Sequence, residues 1–449
     1  MPALLSHRSP TAVVAYRGGR PVSAAEFLGD ASELAERLPE SRHVLNACND
    51  RYRFTVGLAA CLISERVSLL PSTHTPEVVR QFGQDASCLT DDPACAIELP
   101  RFLYEGPPAT GGREVRAFRV PEIPADRLTA IVFTSGSTGA PLPYRKTWGS
   151  LTRCVQNQAA LLGLLDGAAH TLVGTVPPQH MYGFESTVLC ALQSGNAFTA
   201  ERPFYPLDVC AALDAAPRPR ALVTTPVHLR TLLAAGVALP PLDLIVSATA
   251  PLPRELAHDA EAAFRARLLE IYGSTETGQI GMRRTAESEV FKLWPGVRLR
   301  ADNGQVYAYG GHIEQLTPMC DVIEITGEEE FILYGRKADL VNVAGKRSSF
   351  GYLNAQLNAI AGVEDGVFFL REGGSAGATG VTRLAAAVVA PGVPLETLLE
   401  HLRRRIDPVF MPRPLLVVER LPRNATGKLP RHALEALSGQ LQYSPRRKS

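Results

Sequence analysis

The chain has 449 residues, 45% of them hydrophobic and 20% charged, enough for two or three compact units and unlike a disordered polar chain. The formal net charge is +1, which argues against bulk nucleic-acid binding and against electrostatic adhesion to membranes. No window approaches an uninterrupted membrane span, and the N-terminus MPALLSHRSP has no basic stretch followed by an apolar core, so a cytoplasmic location is expected.

The near-neutral total hides an asymmetry. Residues 336–449 carry 17 Lys and Arg against 9 Asp and Glu, which leaves 29 basic against 36 acidic residues in the remainder. A basic C-terminal unit suits a phosphate-bearing or acidic partner; solvated surface charge plus the tail Arg446, Arg447, Lys448 is the plain alternative. The eight cysteines (Cys48, Cys61, Cys88, Cys95, Cys154, Cys190, Cys210, Cys320) never form CxxC, so buried thiols are expected rather than zinc or redox pairs.

In chain order, helical apolar spacing over 24–38 and 52–63 alternates with the strand-like runs VVAY from Val13, HVLNA from His43 and VSLLP from Val67. The alternation continues with TAIVFTS, HTLVGTV, ALVTTP and LDLIVSA, each followed by a turn and a helical pattern. This predicts an α/β fold with a mainly parallel sheet. After Tyr272 the texture becomes β-rich, with QVYAY, VIEIT, FILYG and LVNVA separated by glycine-containing turns over 290–343. A smaller unit then follows, with a helix over 352–361, strands GVFFL and LAAAVVA, a helix over 395–405, the strand PLLVVE and a lysine-bearing loop. The expected division is 1–335 and 336–449.

The strongest local feature is TAIVFTSGSTGAPLP, residues 129–143. A buried apolar strand runs into Thr134, Ser135, Gly136, Ser137, Thr138 and Gly139, where glycines let backbone N–H groups approach an anion and hydroxyls add neutral donors. A Walker A loop, GxxxxGK[ST], is absent, which disfavours an ordinary P-loop NTPase.

Four further segments follow in order: YGSTETG from Tyr272, the Asp321 region, YGRKADLVNVAGKR from Tyr334 and LPRNATGKLPRHAL from Leu421. With the phosphate loop, the series resembles the adenylate-forming superfamily of acyl- and aryl-CoA synthetases, luciferases and peptide-synthetase adenylation domains. That resemblance implies a large N-terminal domain with mainly parallel sheets and a reduced β-rich subdomain, plus a small mobile α+β C-terminal lid. It implies ATP and Mg²⁺, with residues 134–139 on the β- and γ-phosphates, Tyr272, Gly273 and Ser274 at the nucleotide, Thr275 on phosphate and Glu276 as metal ligand. A carboxylate suits that hard cation. Asp321 would accept from the ribose hydroxyls, Arg336 would hold ribose or phosphate, and Lys428 would stabilise charge on the α-phosphate. His180, with Ser247, Ala248, Thr249 and Ala250, would wall the acyl pocket. Gly345, Lys346 and Arg347 would form the face used when the small domain rotates to admit a thiol.

Two departures matter. The Pro-Lys-Gly that follows many members' phosphate loops reads Pro141-Leu142-Pro143 here, so Lys146 or Arg145 would have to supply the charge. The chain is also short, and FTSGSTG followed by Lys-Thr-Trp-Gly, with PPQHMYG, is similar to bacterial ligases of aryl-polyene pigment and fatty-acid-like pathways. There the acid goes to an acyl carrier protein, so the expected activity is acyl-adenylate formation followed by transfer to phosphopantetheine. Free CoA as acceptor is the alternative, and a catalytically inactive nucleotide- or acyl-binding homologue is the reading of another class.

Overall fold

A computed structural model describes residues 1–71, 74–83, 85–106, 118–134, 142–336, 340–343, 346–370, 384–423 and 429. Among these, one sheet has six strands in the spatial order Arg101–Leu103, Ala86–Thr90, His43–Asn46, Val67–Leu70, Leu128–Thr134, Leu142–Thr147. The first five run parallel, and the last returns antiparallel to complete a hairpin. Val67–Leu70 and Ala86–Thr90 are buried at every position, the signature of parallel strands covered on both faces.

The second sheet has eleven strands among the described residues. Their order is Asp321–Ile325, Glu330–Arg336, Val290–Leu293, Gly278–Arg283, Arg267–Ser274, Leu244–Ser247, Arg220–Thr224, Thr171–Gly174, Ala197–Thr199, Val13–Arg17, Arg20–Ser23. The six from Arg267–Ser274 to Val13–Arg17 are parallel, as the strand–helix alternation predicts. The β-rich stretch after Tyr272 divides differently from its sequence texture. Its strands 278–283, 290–293, 321–325 and 330–336 extend the large sheet as antiparallel neighbours. Val297–Asp302, Gln305–Gly310 and Ile313–Pro318 make a separate three-stranded sheet.

Local chemistry sets the helices. Ala24–Arg37 starts on a capping box, Ser23 with Glu26, and buries Ala24, Phe27, Leu28, Ala31 and Leu34 as one apolar stripe. Arg51–Ile63 is capped by Asp50 and buried on almost all sides, because it packs on strands His43–Asn46 and Val67–Leu70 while Phe54 meets Phe184 of the other layer. Trp148–Leu162 begins at Thr147 and ends at Gly163 in the left-handed region. Beyond residue 340, the strands Asp365–Leu370, Leu384–Val389 and Leu415–Val417 form a small sheet. With Phe350–Asn358 and Leu395–Arg403 it encloses apolar clusters of its own.

Candidate active site

All six parallel strands of the large sheet end at one edge, and their outgoing loops carry His180, Ala248, Thr249, Ala250, Thr275 and Glu276. Ligands of open α/β sheets bind outside the carboxyl ends of such strands. Strand Arg267–Ser274 runs directly into Gly278–Arg283, with Ser274 opposite Gly278, so Thr275, Glu276 and Thr277 are the turn of a hairpin. Reciprocal bonds between the Ser274 and Thr277 hydroxyls and backbone amides close that turn. Glu276 is half-buried. At the hairpin's base, Tyr272 packs against Phe291 and Phe331 and donates its hydroxyl to Asp321 at 2.5 Å. Asp321 is also the antiparallel partner of Arg336. The register therefore brings Tyr272, Asp321 and the Arg336 backbone together, although they lie far apart in sequence.

The next strand inward, Leu244–Ser247, leads into Ala248, Thr249 and Ala250. Thr249 has φ of 81°, a left-handed conformation that is costly for a β-branched residue and concentrates at functional sites. The Ser247 and Thr249 hydroxyls are buried without a hydrogen-bond partner among the described residues. Such atoms fit a polar ligand at this strand end. His180 caps the short helix Met181–Gly183, its Nδ1 accepting from the Tyr182 amide at 3.3 Å. Tyr182 donates its hydroxyl to the Val246 carbonyl at 2.9 Å, tying the His180 turn to the 244–250 segment. A Cβ at Gly183 would lie 2.2 Å from the Pro177 carbonyl oxygen, so only glycine permits this close turn.

Several polar residues at this edge were not singled out by sequence reasoning. His228 is buried, with Nδ1 near the hydroxyls of Thr175 (3.2 Å) and Thr225 (3.0 Å), and its ring edge meets Phe204. Beneath the hairpin lies a second group. Lys146 is 6% exposed and donates to the Glu276 carbonyl at 2.9 Å. Its ammonium is thus turned into the protein, whereas Arg145 is exposed. Burial lowers the Lys146 pKa, opposed by the charge of Glu185. Glu185 is 2% exposed, and burial pushes its carboxyl up to about 7 against the pull of Lys146 and hydrogen bonds with Cys154 and Gln279. Gly278, with φ of +73°, admits that carboxylate: a Cβ there would sit 2.9 Å from the Glu185 Oε1. His312 Nε2 lies 3.1 Å from the Thr277 carbonyl. Glu185 was visible in sequence as a lone charge in the apolar run MYGFESTVLCAL; His312 carried no local signal.

Other expected positions lie outside the described residues: Ser135, Gly136, Ser137, Thr138, Gly139, Gly345 and Lys428. Thr134 closes strand Leu128–Thr134, and Lys346 and Arg347 lie in the ribbon strand Lys346–Ser349, paired with Leu340–Val343. The side chains of Thr134, Arg336, Lys346 and Arg347 are not among those described. Among the described residues no cluster of three or more His, Cys, Asp or Glu could hold a metal. No helix there is long and apolar enough to cross a membrane.

Comparison with known proteins gives the same picture. The chain is 32% identical to a 4-coumarate–CoA ligase of Rhodobacter capsulatus over 308 residues, 68% of this chain and 75% of that one. It is 28% identical to a probable 2-succinylbenzoate–CoA ligase of Mycobacterium tuberculosis, covering 71% of this chain and 86% of the relative. In fold it is similar to ATP-bound MatB from Rhodopseudomonas palustris, with TM-score 0.79, 18% identity and 97% of each chain covered. The o-succinylbenzoate CoA synthetase of Bacillus subtilis, in complex with its acyl-adenylate intermediate, superposes with TM-score 0.78, 16% identity and coverage of 98% and 97%. Residues 4–306 match the family described as AMP-binding enzyme; the chain belongs to this family of adenylate-forming enzymes.

Proposed function

We propose that the enzyme activates an aryl or medium-chain carboxylic acid with ATP and passes the acyl group to a phosphopantetheine thiol, preferably that of an acyl carrier protein. The observation that carries this reading is the convergence at one sheet edge of the Thr275–Glu276 turn, the Tyr272–Asp321 pair and the strained Thr249 strand end. In the first half-reaction a carboxylate oxygen of the acid attacks the α-phosphorus of ATP and pyrophosphate leaves. In the second, a thiolate attacks the acyl carbonyl and AMP leaves. Residues 134–139 and Thr275 hold the phosphates, Tyr272 and Asp321 the nucleoside, and His180 with residues 247–250 the acyl group. Glu276, a single half-buried carboxylate, fits a hard cation shared with substrate phosphates. When bound, Mg²⁺ would neutralise charge on the leaving pyrophosphate.

Lys428, on the proposed lid 336–449, supplies positive charge at the α-phosphate. Residues 341–421 contribute apolar clusters distinct from those of the large sheets, which supports a lid that moves as a body. Residues 345–347 would then face the pantetheine arm, with the basic charge of this unit meeting either an acidic carrier helix or the phosphate of CoA. The CoA-ligase relatives favour free CoA as the second reading of the acceptor.

The test is incubation with ATP, Mg²⁺ and an acid panel, offering CoA and holo-carrier protein in parallel, with products read by mass spectrometry. Acyl-carrier product is expected in excess of acyl-CoA; acyl-CoA alone would establish the second reading. Lys428→Ala should lower acid-dependent pyrophosphate exchange by about 10²-fold or more. Exchange undiminished in that variant would remove Lys428 from the mechanism.

A further inference from the structure

We infer that Lys146 is a positioning residue that locks the Thr275–Glu276 turn to the strand Leu142–Thr147. The inference rests on the reading of residues 272–278 as the nucleotide-side hairpin.

The geometry is specific. Strands Leu128–Thr134 and Leu142–Thr147 pair antiparallel and flank the proposed phosphate loop in the sequence. Lys146 lies on the second of these strands, in the six-stranded sheet. The carbonyl it holds, that of Glu276, lies on a hairpin of the eleven-stranded sheet. One hydrogen bond thus couples two segments that must keep a fixed separation if both are to grip one polyphosphate. The neighbouring carbonyl of the same turn, that of Thr277, is met by His312 from the three-stranded sheet's side. Consecutive carbonyls of the turn are therefore held from two different elements, leaving the turn little freedom to shift.

Lys146 is costly to bury, and its surroundings offset that cost. Glu185, Glu276 and Glu314 all favour its charged form. Of these, Glu185 is the deepest: it lies under Gly278 and is hydrogen-bonded with Cys154 and Gln279. Gln279 in turn donates to the Ser186 hydroxyl, which also accepts from Gln158. A buried ammonium is a poor source of stability, because desolvation commonly cancels its Coulombic gain. Its retention here is explained by position: an apolar side chain in its place would fill the volume but could not hold the Glu276 carbonyl. The sequence departure at Leu142 and the presence of Lys146 thus concern different jobs. Lys146 orders the metal-side turn instead of offering its charge to the loop.

The test compares Lys146→Met with the double variant Lys146→Met/Glu185→Leu, which removes the orphaned carboxylate as well. The single variant should melt earlier than wild type, and the double variant should recover most of that loss. Positioning has a separate readout. In both variants, amide hydrogen exchange of the peptide spanning 272–280, measured without nucleotide, should speed up about tenfold. Pyrophosphate exchange should fall roughly 10–100-fold in kcat, with the acid KM changed by less than about twofold. A double variant with wild-type exchange protection in 272–280 and kcat within about twofold of wild type would overturn the inference. Wild-type protein without acid-dependent exchange would instead count against the proposed function, and the hydrogen-exchange comparison would still decide the role of Lys146.

Discussion

The imidazole of His312 is 2% exposed, with Nε2 at the Thr277 carbonyl and Nδ1 unpartnered among the described residues. Donation to a carbonyl requires the proton on Nε2, so in the neutral ring the second nitrogen is a buried lone pair. Protonating it would bury a charge, and burial accordingly lowers its pKa from 6.5 to about 4, with Lys146 and Arg153 adding repulsion. The folded value lies below the unfolded one. The native state therefore keeps its full stability from this group above pH 6.5 and loses it as pH falls through about 4. His312→Gln keeps an N–H donor and does not titrate. Between pH 7 and pH 4 the wild type should lose on the order of 3 kcal/mol more than this variant, read as the difference in urea midpoints. Parallel acid profiles for the two proteins would show that folding does not lower the pKa of His312.

At the scale of elements, the turn that carries His180 depends on Gly183, whose missing side chain lets residues 177–183 close on the Pro177 carbonyl. Gly183→Ala must push that carbonyl away, at a cost of about 1–3 kcal/mol by the usual penalty for overpacking. The displacement is transmitted, because Tyr182 is bonded to Val246 in the strand that leads to Thr249. The acid KM should rise roughly tenfold, as for a displaced substrate-positioning segment; unchanged melting and unchanged KM would separate His180 from the pocket. Such elements were legible in the sequence wherever the signal is local. The alternating strands and helices, the helix from Ala24 and the β-rich texture after Tyr272 all follow from spacing within about 15 residues. What was not legible depends on pairing across distance. The strands after Tyr272 read as one β-rich unit, yet most join the large sheet, because strand propensity does not name the partner strand. Lys146 looked available to the phosphate loop for the same reason: its carbonyl partner is 130 positions away.

The whole molecule joins two sheets, and the proposed site needs both, since the proposed phosphate loop follows Thr134 of the six-stranded sheet in sequence and the Glu276 turn leaves the eleven-stranded one. Arg51 is a main tie between them. It opens the helix Arg51–Ile63 that packs on the first sheet, and its guanidinium reaches four carbonyls at and just beyond the strand ends of the second. Nη1 donates to Thr199 (2.7 Å) and Glu201 (2.6 Å), and Nη2 to Gly174 (2.6 Å) and Val176 (3.4 Å). The side chain is fully buried, and burial lowers its pKa only to about 10, so it stays charged at neutral pH. Strand-end carbonyls with no further strand to pair with need donors, and a planar fork supplies several at once. Arg51→Met would leave these acceptors unmet and should cost about 3–5 kcal/mol in urea unfolding. Arg51→Lys should recover little, because an ammonium cannot span carbonyls from both loops in the same geometry. The same strand ends lead into residues 175–180, so Arg51→Met should also weaken acid-dependent pyrophosphate exchange at temperatures where the variant remains folded. Full stability in Arg51→Met would mean that the two sheets are held together by their shared apolar core alone.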